Sequence, residues 1–225
     1  AYPIDPRPLR QLVMESEYII VGYVNKTYER GRKDKYRVAE ISVGEVLQGE
    51  MKKNTIELEF YPNMVCPSPP RYSDNTYVIS FIDRDNQGKL RTHALSYGSK
   101  TCTKQEIEIY KARILEIQQI LRMKDSVKQT IETVEWLVKC AENKTTSWEG
   151  TYELIYKDAY ANLLSQPQKQ RLKDALLNAE GIPNLELADL LYKDNPAEID
   201  NFLLAKLKTL NEDNYWKASE FMYRL

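Results

Sequence analysis

The chain has 225 residues, with 32 basic and 33 acidic side chains intermixed to a formal charge of −1. It therefore has no broad positive field to hold a nucleic-acid backbone or an anionic bilayer, and nucleic acid is not an expected partner. No apolar run approaches the roughly 20 residues needed to cross a membrane, and Ala1 in place of an initiator Met fits a removed export signal or a trimmed chain.

Seven of the ten prolines precede residue 71, six of the eight glycines precede residue 99, and no further proline occurs until Pro167. This break predicts an α+β chain of two domains, a strand-rich one over residues 1–123 and an all-helical one over residues 124–225. Pro6 to Glu15 reads as a first helix with Leu9, Leu12 and Val13 on one face. Tyr18 to Val24 and Tyr36 to Leu47 read as the arms of a long hairpin, joined by a charged turn from Glu29 to Lys35 around Gly31. Ile56, Leu58 and Phe60 alternate with Glu57 and Glu59, which places one strand face in a core and the other in water. Tyr77 to Ile82 is apolar on both faces, as a central strand is. Asp83 to Gly88 then turns the chain into a fifth strand, Lys89 to Tyr97.

Thr103 and Glu106 form a capping-box pattern, behind which Ile107, Tyr110, Ile114, Ile117 and Leu121 repeat at helical spacing. Similar starts occur at Ser126 with Gln129, Ser165 with Gln168, and Asn195 before Pro196. One of the apolar stripes behind them runs Val127, Ile131, Val134, Val138 and Ala141. These patterns predict five or six helices after residue 104, stacked as a bundle or a short solenoid.

Four features offer candidate chemistry. Cys66 and Cys102 stand at element ends where a cross-link is geometrically easy, so a disulfide is expected, against the alternative of two reduced, buried thiols. His93 is the only histidine, so neither a His/Cys metal site nor more than one catalytic triad can be built, and it reads as structural. Asp83 to Gly88 opens like a calcium loop but has Ala94 where a bidentate Glu is required, which leaves a hairpin turn. No catalytic residue, metal or cofactor follows from any of these.

Two surfaces remain as candidate binding sites. The stiff segment from Tyr61 through Pro69, Pro70, Arg71 and Tyr72 reads either as a protruding recognition loop or as a crossover held still for stability. Trp148, Tyr152, Tyr156 and Tyr160 recur every four residues as one aromatic strip, suited to stacking on a sugar or gripping a partner segment, or else to packing helix on helix.

The order of helix, five strands and helix is that of a closed five-stranded barrel of the oligonucleotide/oligosaccharide-binding type. Tyr18-Ile19-Ile20-Val21-Gly22-Tyr23-Val24 resembles the first strand of bacterial netrin-like domains, which are similar to tissue inhibitors of metalloproteinases. Glu45 to Gly49 resembles the end of their second strand, Asn75 to Phe81 their fourth, and Ser99-Lys100-Thr101-Cys102 their closing cysteine. The resemblance spans roughly residues 9 to 122. It implies an extracytoplasmic protein (periplasmic, cell-surface or secreted) that binds another macromolecule. Zinc-directed inhibition does not carry over, because the animal inhibitors chelate zinc through an amino-terminal cysteine and this chain has Ala1. The expected function is an exported, non-enzymatic binding protein whose partner is a protein or a glycan. The alternatives are a hydrolase using carboxylates between the domains and a scaffold in a cell-surface assembly.

Overall fold

The computed structural model describes residues 5–30, 36–64, 68–157 and 160–209. The chain divides into two compact units, Ala1–Arg122 and Met123–Leu225. The expected turn around Gly31 lies outside the described residues.

The first unit runs α1 (Leu9–Glu15), β1 (Tyr18–Glu29), β2 (Arg37–Gln48), β3 (Thr55–Phe60), β4 (Thr76–Arg84), β5 (Leu90–Thr92), a 3-10 turn (Leu95–Gly98), β6 (Ser99–Cys102) and α2 (Lys104–Leu121). The strands form one antiparallel sheet in the order β3-β2-β1-β4-β5, with β6 also pairing with β4. Alternation along the strands sorts the side chains. Ile20, Val24, Ala39, Ile41, Leu58, Phe60, Val78 and Ile82 share one buried cluster. Ile79 and Phe81, one step out of phase on β4, are fully buried on the other face. The apolar seam of α2, including the fully buried Ile114 and Ile117, packs against β2, β4 and β6, and α1 packs against α2.

The sheet is open, which corrects the expected closed barrel. Closure needs β3 to hydrogen-bond to β5 or β6, and no such ladder exists among the described residues. The cause lies in β5, where a strand reaching Tyr97 was expected and only Leu90–Thr92 forms. Ala94 and Leu95 then take left-handed backbone (φ 50° and 53°), which swings the chain out of the sheet into the 3-10 turn. The β3 edge approaches β5 through side chains alone. Lys89, just before that strand, pairs with Glu59, and Arg30 pairs with Glu57 at 2.6 Å. Charge on an edge strand discourages further strand pairing.

The second unit comprises α3 (Ser126–Ala141), α4 (Ser147–Tyr156), a 3-10 turn (Tyr160–Leu163), α5 (Gln166–Leu177), α6 (Leu185–Tyr192) and α7 (Pro196–Leu207). Asp125, rather than Ser126, caps α3, accepting from the N–H groups of Val127 and Lys128. Only the second half of α3 faces the core. Trp136, Leu137 and Val138 are buried, while Val127 and Ile131 of the expected stripe are 69% and 62% exposed.

Arg171 ties α5 to α3. Its Nε and Nη2 donate to the two oxygens of Glu142, and its Nη1 to Glu135, each at 2.7 Å. Planar bidentate pairing is the strongest geometry open to a surface cation, but the 39% exposure of this side chain means that water screens it. Arg171→Ala is expected to lower the stability of the helical unit by about 1–2 kcal/mol. The loss should shrink when denaturant titrations are repeated at high salt, and a salt-independent loss would make the stem's packing the cause.

Candidate functional site

The helical unit builds its aromatic surface on α4, starting from a glycine. A Cβ on Gly150 would lie 2.3 Å from the Leu137 carbonyl oxygen and 2.5 Å from the Ala141 nitrogen, so α4 presses directly on the backbone of α3. That contact buries Glu149, Gly150, Thr151, Glu153 and Leu154. Trp148, Tyr152 and Tyr156, spaced by four, are thereby directed to the opposite face. Their rings form a ladder, with centroids 5.3 Å apart for Trp148 and Tyr152 and 4.9 Å for Tyr152 and Tyr156. Tyr156 is 58% exposed. Tyr160 does not extend the ladder along α4, because the helix stops at Tyr156 and Tyr160 lies buried in the following 3-10 turn.

Trp148 also lines a cleft of about 580 Å³ between the ends of α3 and α5 and the connection leading to α6. Leu176, Ala141 and Leu187 supply its buried apolar floor. Much of its polar lining is already engaged. Asn184 donates through its amide to Ser147 and Thr151 and accepts from the N–H groups of Glu186 and Leu187 as the cap of α6. Glu142 is held by Arg171. Lys144, Asn178 and Glu180 complete the rim. These residues come from separate helices, so no local sequence pattern announces the cleft. The one available signal was the Gly181-Ile182-Pro183 break that ends α5 and opens the turn.

The proline-rich segment behaves differently along its length. Pro69, Pro70 and Tyr72 are buried. The Tyr72 ring meets Phe60 edge-on at 5.5 Å, and its hydroxyl lies 2.7 Å from Thr92 Oγ1. Burial pushes the Tyr72 phenol up to about 12. Arg71 keeps an exposed side chain while its N–H donates to Ser99 Oγ at 2.9 Å. Tyr61 is 51% exposed, with its ring 6.0 Å from that of Tyr36. Among the described residues of this segment the exposed surface is that of Tyr61, Pro62, Asn63 and Arg71, while Pro69, Pro70 and Tyr72 are pinned into the core.

Cys66, one end of the expected disulfide, lies outside the described residues. Cys102 is buried, its thiol donates to the Lys100 carbonyl at 3.2 Å, and burial, with Glu106 nearby, pushes it up to about 12. His93 is bracketed by carboxylates, Nδ1 lying 2.5 Å from Asp83 and Nε2 3.1 Å from Glu15. Neither ring nitrogen faces a nucleophile. The same Asp83 accepts the Glu17 N–H, so this cluster fastens the end of α1 to β4. In the following turn, Asp85 accepts from the N–H groups of Gln87 and Lys89 and pairs with Arg91, as a hairpin turn requires.

No protein-family model matches this chain, and no curated protein matches it.

Proposed function

We propose that this chain is a non-enzymatic binding protein that grips an extended segment of a protein partner with the aromatic ladder and cleft of its helical unit. The observation that carries this reading is the continuous run from the exposed ring of Tyr156 through Tyr152 to Trp148 at the cleft. Aromatic rings contribute large contact area at the loss of few rotors, and aromatic-lined grooves hold preformed, proline-rich segments. A sugar needs several free hydrogen-bonding groups around the ring it stacks on. In this cleft Asn184 and Glu142 are occupied within the fold, and the remaining polar groups, Lys144, Asn178 and Glu180, stand at the rim around an apolar floor, which favours the less polar occupant.

A displayed peptide library rich in proline and aliphatic residues, run beside a glycan array, tests the reading. Trp148→Ala is expected to weaken the selected peptide about thirtyfold or more, the signature of a central aromatic anchor, with the thermal midpoint moving by only a few degrees. Selection of glycans in a Trp148-dependent manner would replace the protein partner by a sugar. Failure of both libraries, or ligands indifferent to Trp148, would remove this surface as a binding site.

A further inference from the structure

A second cleft, of about 610 Å³, opens at one end of the sheet between two glycine turns, Gly49 after β2 and Gly88 before β5. Its floor is apolar. Tyr18 and Ile56 are buried there, and the half-buried Met51 and Leu90 pack against the same core cluster. Its walls carry three cations, Arg84, Lys52 and Lys53, against the two carboxylates of Glu17 and Glu50. Arg84 lies over the Tyr18 ring at 5.0 Å, and its Nε is fixed by Glu17 at 3.2 Å and by the Tyr18 hydroxyl at 2.6 Å. The guanidinium is thereby held in one pose by a single edge, and among the described residues its two terminal nitrogens meet no acceptor. Lys52 and Lys53, on the β2–β3 connection that also lines the cleft, are exposed and form no ion pair among the described residues.

The geometry points to a binding site for a small amphiphilic anion, a carboxylate or phosphate carried on an aliphatic or aromatic body. The apolar part would cover Met51 and Leu90, while the anionic group would take the forked terminal N–H groups of Arg84 and the charge of the two lysines. A guanidinium with one edge already fixed loses little freedom on accepting an oxyanion, and its remaining edge matches two oxygens at once. A cleft of this size suits a small organic ligand rather than a macromolecular chain. Gly49 helps shape the cleft. A Cβ there would meet the Tyr18 ring at 2.6 Å and the Glu17 carbonyl oxygen at 2.7 Å, so a side chain would push Tyr18 from its place under Arg84.

Titration calorimetry of the full chain with octanoate, octyl phosphate, octanol and inorganic phosphate tests the site. Octanoate and octyl phosphate are expected to bind and to compete with each other, with octanol and inorganic phosphate at least tenfold weaker. Arg84→Gln, and separately the double variant Lys52→Gln with Lys53→Gln, should each weaken octanoate about tenfold. The lysines are exposed, so the double variant keeps the assay meaningful if Arg84→Gln fails to fold. Trp148→Ala should leave octanoate binding unchanged, which separates this site from the helical one. Absence of octanoate binding, equal binding of octanol, binding of inorganic phosphate alone, or variants that bind as the parent does would each overturn the assignment.

Discussion

Replacing Gly150 by Ala is expected to destabilise the helical unit by about 2–4 kcal/mol, although the same change in an isolated helix would stabilise it by roughly 1 kcal/mol. The sign reverses because the added methyl would stand 2.3 Å and 2.5 Å from backbone atoms of α3, and 2.9 Å from the Cβ of Cys140. None of these atoms can rotate away. The two helices must move apart, which loosens the buried contacts of Leu137, Ala141 and Leu154 around the crossing. Gly181→Ala is the control. Its backbone is left-handed, at φ 70°, but nothing lies within 4 Å of the new methyl, so only about 1 kcal/mol of backbone strain is expected. Denaturant titrations of the two variants should therefore differ by more than 1 kcal/mol. Equal losses would mean that the α3–α4 crossing yields easily. Because α4 carries the aromatic ladder, Gly150→Ala should also impair the proposed peptide binding without touching a ligand-facing ring.

The parts of this fold that were legible in the sequence are those fixed by near neighbours. Ile56, Leu58 and Phe60 are buried while Thr55 and Glu57 are exposed, as their alternation implies. Thr103 and Glu106 do close a reciprocal capping box at the start of α2. The misreadings all turn on distant partners or on backbone choices that side chains do not advertise. Nothing in the residue types of Ala94 and Leu95 signals consecutive left-handed conformations, yet these end β5 and leave the sheet open. Val127 and Ile131 continue an apolar period, but burial depends on which helices arrive at that end of α3, and among the described residues none covers them. The aromatic strip was readable as far as the helix lasted. Its end at Tyr156 and the cleft beside Trp148 depend on where α5 and the connection to α6 come to rest. In the proline-rich segment, composition was silent on direction, and Pro69, Pro70 and Tyr72 turn inward.

That inward turn leads to the second large effect, at Tyr72. Truncation to Ala empties a site that is only 6% exposed and packed on Phe60, at an expected loss of about 3–5 kcal/mol, whereas the neighbouring Arg71→Ala should stay within about 0.5 kcal/mol. Tyr72→Phe keeps the ring and removes the hydroxyl with its bond to Thr92, costing about 1 kcal/mol near neutral pH. Alkaline pH separates the hydroxyl from the ring. In the unfolded chain the phenol ionises near 10, while burial holds it neutral in the fold up to about 12. The folded state thus keeps a proton that the unfolded state releases. The associated stability is fully present below pH 10 and is lost as pH rises towards 12, to a total of roughly 2–3 kcal/mol. Cys102, raised from 9.0 to about 12, adds a loss of the same sign in both proteins. Stability measured by guanidinium titration between neutral pH and about pH 11 should therefore fall more steeply for the parent than for Tyr72→Phe, and the two curves should converge at the alkaline end. Parallel curves would mean that the phenol reaches solvent, and with it that the connection before β4 stands away from the core.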